Sequence, residues 1–222
     1  MTKNVLIFSE WFDPENCLKG LEFAKEIRKK GYKVIVLTTF PNYPGGKIFP
    51  GYIQKINHTE YREGIKIIRV PIYPSHDNSS LRRALTYISF SITSFLRGLF
   101  FLNKIDIIYC YHPPISTGLV AILWKLLFKI PIVLDVQDLW PESLVATGFV
   151  NNKFLLNLIN QFCLRVYKNV DQLVVISNGF QKYFNSLEID KNKIKIIRNW
   201  TFENGFSSNE PQILPKEFLN SN

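Results

Sequence analysis

The chain has 222 residues, of which 46% are hydrophobic and 20% are charged, and its mean hydropathy is +0.01. This composition is typical of a globular protein with its own core, and it excludes an intrinsically disordered chain. The 27 Lys and Arg against 18 Asp and Glu give a net charge of +9, which favours anionic partners: nucleic acid, phosphorylated ligands or an acidic membrane surface.

The cysteines and the N-terminus favour a cytoplasmic protein. Cys17, Cys110 and Cys163 lie far apart and form no Cys-x-x-Cys or Cys/His cluster, which argues against a disulfide framework and a structural zinc site. The apolar run before Ser9 is too short for the core of a signal peptide. We therefore expect a chain that works in a reducing compartment.

Short apolar runs alternate with segments of helical spacing along the chain. The runs typical of buried strands are 4–8, 33–39, 53–61, 65–72, 105–111, 130–136, 171–176 and 194–198. Helical spacing occurs at 20–31, 81–102, 115–129, 151–168 and 178–187. The alternation predicts an α/β domain of the Rossmann-like class, with a doubly wound, mainly parallel sheet, over residues 1–200. Residues 201–222 are predicted to be a polar linker or tail.

In open α/β sheets, ligands bind beyond the carboxyl ends of the strands. The candidate site segments are therefore 9–19, 40–47, 112–117, 137–143 and 177–179. The first of these lacks the Gly-x-Gly-x-x-Gly pattern that lets a backbone approach a pyrophosphate closely, which disfavours a dinucleotide-dependent oxidoreductase.

Three of these segments carry a family resemblance. FPNYPGGK at 40–47, DLWPES at 138–143 and VVISNGF at 174–180 occur in an order that resembles family-four retaining glycosyltransferases. Within that family it resembles the fucosaminyltransferase-like enzymes of bacterial surface-polysaccharide synthesis, which make O-antigen or capsule. The resemblance runs from Val5 to about Trp200.

The resemblance implies one half of a GT-B fold, in which two Rossmann-like domains face each other across a cleft. This chain resembles the N-terminal, acceptor-side half, and the C-terminal donor domain has no counterpart in the sequence. The implied reaction transfers a sugar from a UDP-linked nucleotide-sugar to a polyprenyl-diphosphate-linked saccharide. It would take place at the inner face of the cell membrane, with retention of configuration and without a metal or other cofactor.

The segment after the strand at 130–136 supplies the first candidate residues. Asp138 is expected to orient an acceptor hydroxyl or to stabilise positive charge on a sugar ring near the transition state, and the alternative is that it forms an Asx turn or a helix N-cap. Gln137 stands where many members of the resembling family carry a histidine, and an amide does not titrate near pH 7. Trp140 is either an apolar platform for the acceptor or ordinary packing. Glu142 either binds a sugar hydroxyl or begins the next turn.

Other candidates lie at strand and helix ends. Lys19 and Gly20 precede a predicted helix and offer a cation and free N–H groups to a phosphate, with a solvated helix end as the alternative. Lys47 either closes over an acceptor diphosphate or sits exposed on a tight turn. His112 is expected to face the cleft, with a structural role as the alternative.

Two further strand-end residues enter through the resemblance. Ser177 and Asn199 follow the last two predicted strands. The resemblance places such residues near the cleft, and the alternative is that they cap the strand ends.

The predicted helix 81–102 combines apolar residues with arginines. Leu81, Leu85, Ile88, Ile92, Phe95, Leu99 and Leu102 follow helical spacing, which predicts that they form its buried face. Arg82, Arg83 and Arg97 are predicted to contact a membrane or a lipid phosphate, because arginines in a first turn oppose the helix dipole unless an anion is near. The alternative is an ordinary helix with solvated arginines.

Two classes of function stay open. The chain is either part of an enzyme, alone or with a donor domain on a separate chain, or a non-catalytic, membrane-associated module that binds the acceptor. An oxidoreductase would require a bound nicotinamide or flavin. Nucleic acid is not an expected partner, because no nucleic-acid-binding motif accompanies the charge.

Overall fold

The computed structural model describes residues 2–76, 79–148, 150 and 152–200. The strands are β1 Asn4–Phe8, β2 Lys33–Thr39, β3 His58–Arg62, β4 Ile65–Val70, β5 Ile107–His112, β6 Ile132–Val136, β7 Gln172–Val175 and β8 Ile194–Ile196. The helices are α1 Leu21–Lys29, α2 Ser80–Gly98, α3 Ile115–Phe128, α4 Glu142–Ala146, α5 Lys153–Asn169 and α6 Asn178–Ser186, and 3-10 turns occupy Leu102–Lys104 and Lys191–Lys193.

The strands form one sheet in the order β3-β4-β2-β1-β5-β6-β7-β8. Every neighbouring pair is parallel except β3 and β4, which form an antiparallel hairpin at one edge. Helices connect the parallel strands, because a parallel pair needs a crossover, except that β2 and β4 are connected by a loop and β3. The predicted doubly wound, mainly parallel α/β fold is confirmed.

The two faces of the sheet are covered unequally. On one face, α1 packs on a small cluster that includes Ile7, Ala24 and Val36. On the other, α2, α3, α5 and α6 cover a larger core around Phe8 and Trp124. The rings of Phe8 and Trp124 lie 4.8 Å apart between centroids. The helix α2, which carries the candidate residues Arg82, Arg83 and Arg97, belongs to the layer on this second face.

Several predicted boundaries need correction. Residues 53–57 are not part of a strand, since β3 begins at His58. The predicted helix 81–102 ends as α2 at Gly98, and α4 replaces what the sequence predicted as loop or turn. Residues 201–222, predicted to be a linker or tail, lie outside the described residues.

The predicted buried face of α2 is wrong. Leu81, Leu85, Ile88, Ile92 and Leu99 are exposed, and the buried residues of the helix are Thr86, Phe90, Ser94 and Gly98. Of the predicted set, Leu102 is buried and Phe95 is partly buried against the core.

The reason is close packing of α2 on α3. A Cβ atom at Gly98 would lie 2.6 Å from the ring of Trp124, so only glycine allows this approach. The hydroxyls of Thr86 and Ser94 can face the core because they donate to the carbonyls of Arg82 and Phe90, at 3.2 and 2.6 Å.

Candidate functional site

The carboxyl ends of β1, β5 and β6 lie side by side in the middle of the sheet. The chain proceeds from β1 to β2 on one side and from β5 to β6 on the other, so the strand order reverses between β1 and β5. Ligands of open α/β sheets bind in the crevice at such a reversal. The candidate site therefore begins with the residues that follow these strands: Ser9, Glu10, Pro113, Pro114, Gln137 and Asp138.

Charged and polar groups from three elements meet at this reversal. Burial raises the pKa of the Tyr87 hydroxyl, Glu10 and Asp138 raise it further, and Arg83 lowers it. The three charged groups therefore act on Tyr87 electrostatically, and the Tyr87 ring packs at 6.0 Å on Trp140, two residues after Asp138. Asp138 is exposed, whereas only 2% of Glu10 is accessible. We refer to Glu10, Arg83, Tyr87 and Asp138 as the switch-point cluster.

Glu10, like Tyr87, is a member of the cluster that the sequence did not single out. Its backbone oxygen accepts hydrogen bonds from the hydroxyls of Thr38 and Thr39, at 3.0 and 2.8 Å. Its side-chain Oε2 is buried and has no hydrogen-bond partner among the described residues. Burial, reinforced by Glu15 and opposed by Arg83, raises the pKa of Glu10 to about 8. The carboxyl group therefore keeps its proton near neutral pH.

A buried polar network lies on the α1 side of the same strand ends. Asp135 accepts hydrogen bonds from the Tyr109 hydroxyl at 2.5 Å and from the Gln137 amide at 2.6 Å. The Lys19 ammonium lies 3.6 Å from Asp135, and both side chains are buried. Burial raises the pKa of Asp135, while Tyr109, Lys19 and Gln137 oppose that shift. The network joins β5, β6 and the loop after β1.

The last described residues close over this network. Asn199 donates to the Gln137 side-chain oxygen at 2.8 Å, and the ring of Trp200 covers the Lys19 ammonium at 3.6 Å. Lys19 is therefore buried and covered. Both predictions for this residue, a contact with a phosphate and a position on a solvated helix end, are wrong. Gly20 is required for a different reason, because a Cβ there would lie 2.1 Å from an Asp13 carboxylate oxygen.

Asp13 also occupies the N-terminus of α1. Its Oδ2 atom accepts a hydrogen bond from the backbone N–H of Leu21 at 2.5 Å. One of the N–H groups that the sequence offered to a phosphate is thereby satisfied within the chain. A cavity of about 410 Å³ remains between this loop and Trp200, with Asp13 and Glu15 in its lining.

Lys47 and Arg82, predicted separately, line the same cavity of about 240 Å³. Gly46 has φ +63°, and a Cβ there would lie 2.3 Å from the backbone nitrogen of His76, so the turn needs glycine. Burial, followed by the charge of Arg83, lowers the pKa of His76. We refer to this space as the basic cavity. Its two cations suit an anionic group.

His112 is buried, which corrects the expectation that it faces the cleft. Its ring packs between Trp140 and Tyr167, at centroid distances of 5.9 and 6.2 Å. Burial lowers the pKa of His112 to about 3, so the imidazole is neutral. Trp140 is also largely buried, with 7% accessible, and its ring packs against Tyr87 of the cluster at 6.0 Å.

The remaining predicted residues lie away from the cluster or stabilise local structure. Glu142 begins α4 and accepts a hydrogen bond from the Tyr183 hydroxyl at 2.7 Å. Ser177, predicted either to lie near the cleft or to cap a strand end, is the N-cap of α6 and accepts a hydrogen bond from the Phe180 N–H. Arg97 follows Arg82 by fifteen residues in α2, which separates the two by about 22 Å along the axis.

The described residues show neither a metal-binding group nor a membrane-spanning helix. Residues 2–76, 79–148, 150 and 152–200 contain no group of three or more His, Cys, Asp or Glu able to hold a metal ion. In the same ranges, no helix combines the length and apolar character needed to cross a bilayer.

The sequence was also compared with known families and structures. The model of the glycosyl transferase 4-like domain matches residues 21–200. The chain belongs to this family. No curated protein sequence matches it.

Solved structures with a similar fold are GT-B glycosyltransferases at low sequence identity. Sucrose-phosphate synthase from Thermosynechococcus elongatus is 11% identical, with a TM-score of 0.58 over 90% of each chain. HepE of Anabaena, solved with UDP and glucose, is 13% identical, with a TM-score of 0.54 over 91% of this chain and 46% of its own. Arabidopsis thaliana UGT89C1, solved with UDP-L-rhamnose, is 13% identical, with a TM-score of 0.55 over 91% of this chain and 50% of its own.

The glycosyl transferase 4-like domain thus spans about half the length of the HepE and UGT89C1 structures. The family match includes three members of the switch-point cluster, Arg83, Tyr87 and Asp138, and begins after Glu10. The cluster therefore combines residues within the matched range with a buried carboxyl group that lies before it.

Proposed function

We propose that this glycosyltransferase domain is the acceptor-side half of an enzyme that transfers a sugar from a UDP-linked nucleotide-sugar to a lipid-linked saccharide. The enzyme would be a fucosaminyltransferase-like member of polysaccharide synthesis, making O-antigen or capsule. A donor-side half would hold the nucleotide-sugar, either in the same polypeptide or on a separate chain. The UDP in the HepE structure and the UDP-L-rhamnose in the UGT89C1 structure support this donor class.

The observation that carries the proposal is the position of the switch-point cluster beside the basic cavity. Arg82 lines the cavity and Arg83, the next residue, belongs to the cluster. A diphosphate bound by Lys47 and Arg82 would place its attached saccharide near Asp138 and the protonated Glu10. Asp138 would orient the acceptor hydroxyl or stabilise positive charge on the sugar.

We also propose that the domain works at the inner face of the cell membrane. The exposed aliphatic stripe of α2 and the arginines Arg82, Arg83 and Arg97 support peripheral attachment to an anionic surface. The reaction would retain configuration and need no metal ion. The switch-point cluster and the basic cavity, which would bind the acceptor, both lie in this domain. If no donor half is present, the domain would therefore still bind the acceptor, as a module without transferase activity.

The test is sugar transfer in membranes from cells that express the wild-type protein or Asp138→Asn. Radiolabelled UDP-sugars are supplied, and label is counted in the lipid extract. We expect Asp138→Asn to reduce incorporation by roughly tenfold or more, and transfer by the wild type to persist in EDTA. The matched control is Asp190→Asn, an exposed residue whose cap on Asn192 an asparagine retains. Equal incorporation by the two variants would remove Asp138 from the mechanism.

A further inference from the structure

An apolar groove of about 580 Å³ opens beside the switch-point cluster. It lies between the start of α2, the start of α3 and the helices α4 and α5, and its lining includes Leu81, Ile88, Trp140, Leu144 and Leu155. The volume falls within the range of roughly 300–1,000 Å³ that is typical of small-molecule sites. The lining suits a hydrocarbon and offers little to a polar ligand.

The inner end of the groove reaches the site already described. Tyr87 lines the groove and also belongs to the switch-point cluster. Ser116 lies in the lining, and its buried hydroxyl has no hydrogen-bond partner among the described residues. A hydrocarbon that filled the groove would therefore carry a polar head group to the Ser116 hydroxyl, Arg83 and Asp138.

The outer end of the groove opens onto a helical face with an unusual composition. The helix α3 packs between α2 and α5. The exposed apolar residues of these three helices are Leu81, Leu85, Ile88, Ile92, Leu96, Leu123, Leu126, Leu127, Phe154, Leu155 and Leu158. None of the three helices contains Asp or Glu. Their charged residues are Arg82, Arg83, Arg97, Lys125, Lys153, Arg165 and Lys168.

This composition identifies the surface that the face complements. The three helices contribute no carboxylate, although Lys125 is paired with Asp171, which follows α5, at 2.8 Å. Exposed aliphatic side chains together with Arg and Lys on such helices match an anionic lipid surface, where the apolar groups enter the bilayer boundary and the cations meet phosphates. By contrast, the exposed face of α1, on the other side of the sheet, carries Glu22 and Glu26. A helical surface with exposed aliphatic residues and no acidic ones is thus found on the side of α2, α3 and α5 and not on α1.

We propose that the groove binds the hydrocarbon chain of one lipid-linked acceptor, drawn from the membrane on which α2, α3 and α5 lie. The inference rests on the proposed function and adds to it a binding site for the chain. With the chain held along Leu81 and Trp140, the diphosphate head lies between the basic cavity and Arg83. The saccharide then reaches Asp138 at the strand reversal.

The test measures binding of farnesyl diphosphate to the full chain by isothermal titration calorimetry, without membranes, against inorganic diphosphate. We expect farnesyl diphosphate to bind at least tenfold more tightly, a gain for which about two buried methylene groups suffice. Ala84→Trp fills the groove and should weaken farnesyl diphosphate binding at least tenfold, with inorganic diphosphate unaffected. The matched control is Ile92→Trp, on the same exposed stripe of α2 beyond the groove, and it should bind like the wild type.

Circular dichroism and flotation with vesicles of phosphatidylcholine and phosphatidylglycerol show whether Ala84→Trp keeps its fold and its membrane face. Equal affinities for the two diphosphates would overturn the proposal, as would an unchanged affinity in folded Ala84→Trp. A groove covered by a donor domain or by a second copy of the chain would bind no farnesyl diphosphate, which also overturns it. Absent sugar transfer with intact farnesyl diphosphate binding would contradict the proposed function and leave the groove assignment standing.

Discussion

Replacing Glu10 with Gln is expected to remove a pH-dependent cost to folding. An unfolded glutamate ionises near pH 4.5, whereas burial holds the proton on Glu10 up to a pKa of about 8. Between these values the folded chain binds a proton that the unfolded chain has released, so the stability linked to Glu10 is complete below pH 4.5 and is lost as pH rises through 8. At about 1.4 kcal/mol per pKa unit, the full loss is at most on the order of 5 kcal/mol.

The assay is urea unfolding of the wild type and Glu10→Gln at pH 5, 7 and 9, followed by tryptophan fluorescence. A glutamine resembles the protonated glutamate in shape, so the two proteins should have similar free energies of unfolding at pH 5. The variant should be more stable by several kcal/mol at pH 9, because it has no proton to lose. The comparison cancels all other titrating groups, since both proteins share them.

Glu22→Gln is the matched control, because the Glu22 side chain is 51% exposed on α1. It makes the same Glu→Gln change at a carboxyl group that is not buried, so it separates the effect of burial from the effect of the substitution itself. A Glu10→Gln difference that is constant from pH 5 to pH 9 would refute the reasoning. Glu10 would then be ionised throughout this range, and the switch-point cluster would offer a ligand no acidic proton near neutrality.

Two further substitutions test contacts that position the site. Lys19→Met leaves the buried Asp135 carboxylate without its cation and should cost about 3–5 kcal/mol of unfolding free energy in urea. Adding Asp135→Asn should recover most of this loss, and a double variant as unstable as the single one would show that the pair is not coupled. Gly98→Ala pushes a methyl group against the Trp124 ring and should cost about 1–3 kcal/mol by thermal or urea unfolding. Gly45→Ala, with nothing within 4 Å of its Cβ position, should cost much less, and equal losses would contradict the packing argument.

The central strands could be predicted from the sequence because each is buried on both faces. Short, almost continuous apolar runs form β1, β2, β5 and β6. Loops and the exposed faces of helices contain polar residues at intervals, so these runs stand out in the sequence as strands. The hairpin of β3 and β4 was harder to delimit. β3 lies at the sheet edge and reads HTEYR, a polar sequence without a clear apolar pattern, so its start at His58 could not be located.

The candidate site could be located from the sequence, but its contacts could not. Strand ends identify Asp138 and Gln137 as site residues because the fold rule needs only the order of the elements. The partner of Lys19 is Asp135, far along the chain and within a strand whose neighbours are apolar. No local pattern relates the two, and the sequence alone makes Lys19 resemble an exposed lysine before a helix.

The buried face of α2 shows how local periodicity can select the wrong side of a helix. Large aliphatic residues at helical spacing normally mark the core side, yet here Thr86, Ser94 and Gly98 face the core because small side chains let α2 approach α3 closely. The sequence contained a second signal, the absence of acidic residues in α2. A single helix without acidic residues is common and indicates nothing about a surface. Here the fold places α2, α3 and α5 side by side, and the three helices together form an acid-free surface that the sequence order alone does not show. A surface of this kind requires exposed aliphatic residues, and the small residues on the core side of α2 make that exposure compatible with a packed fold.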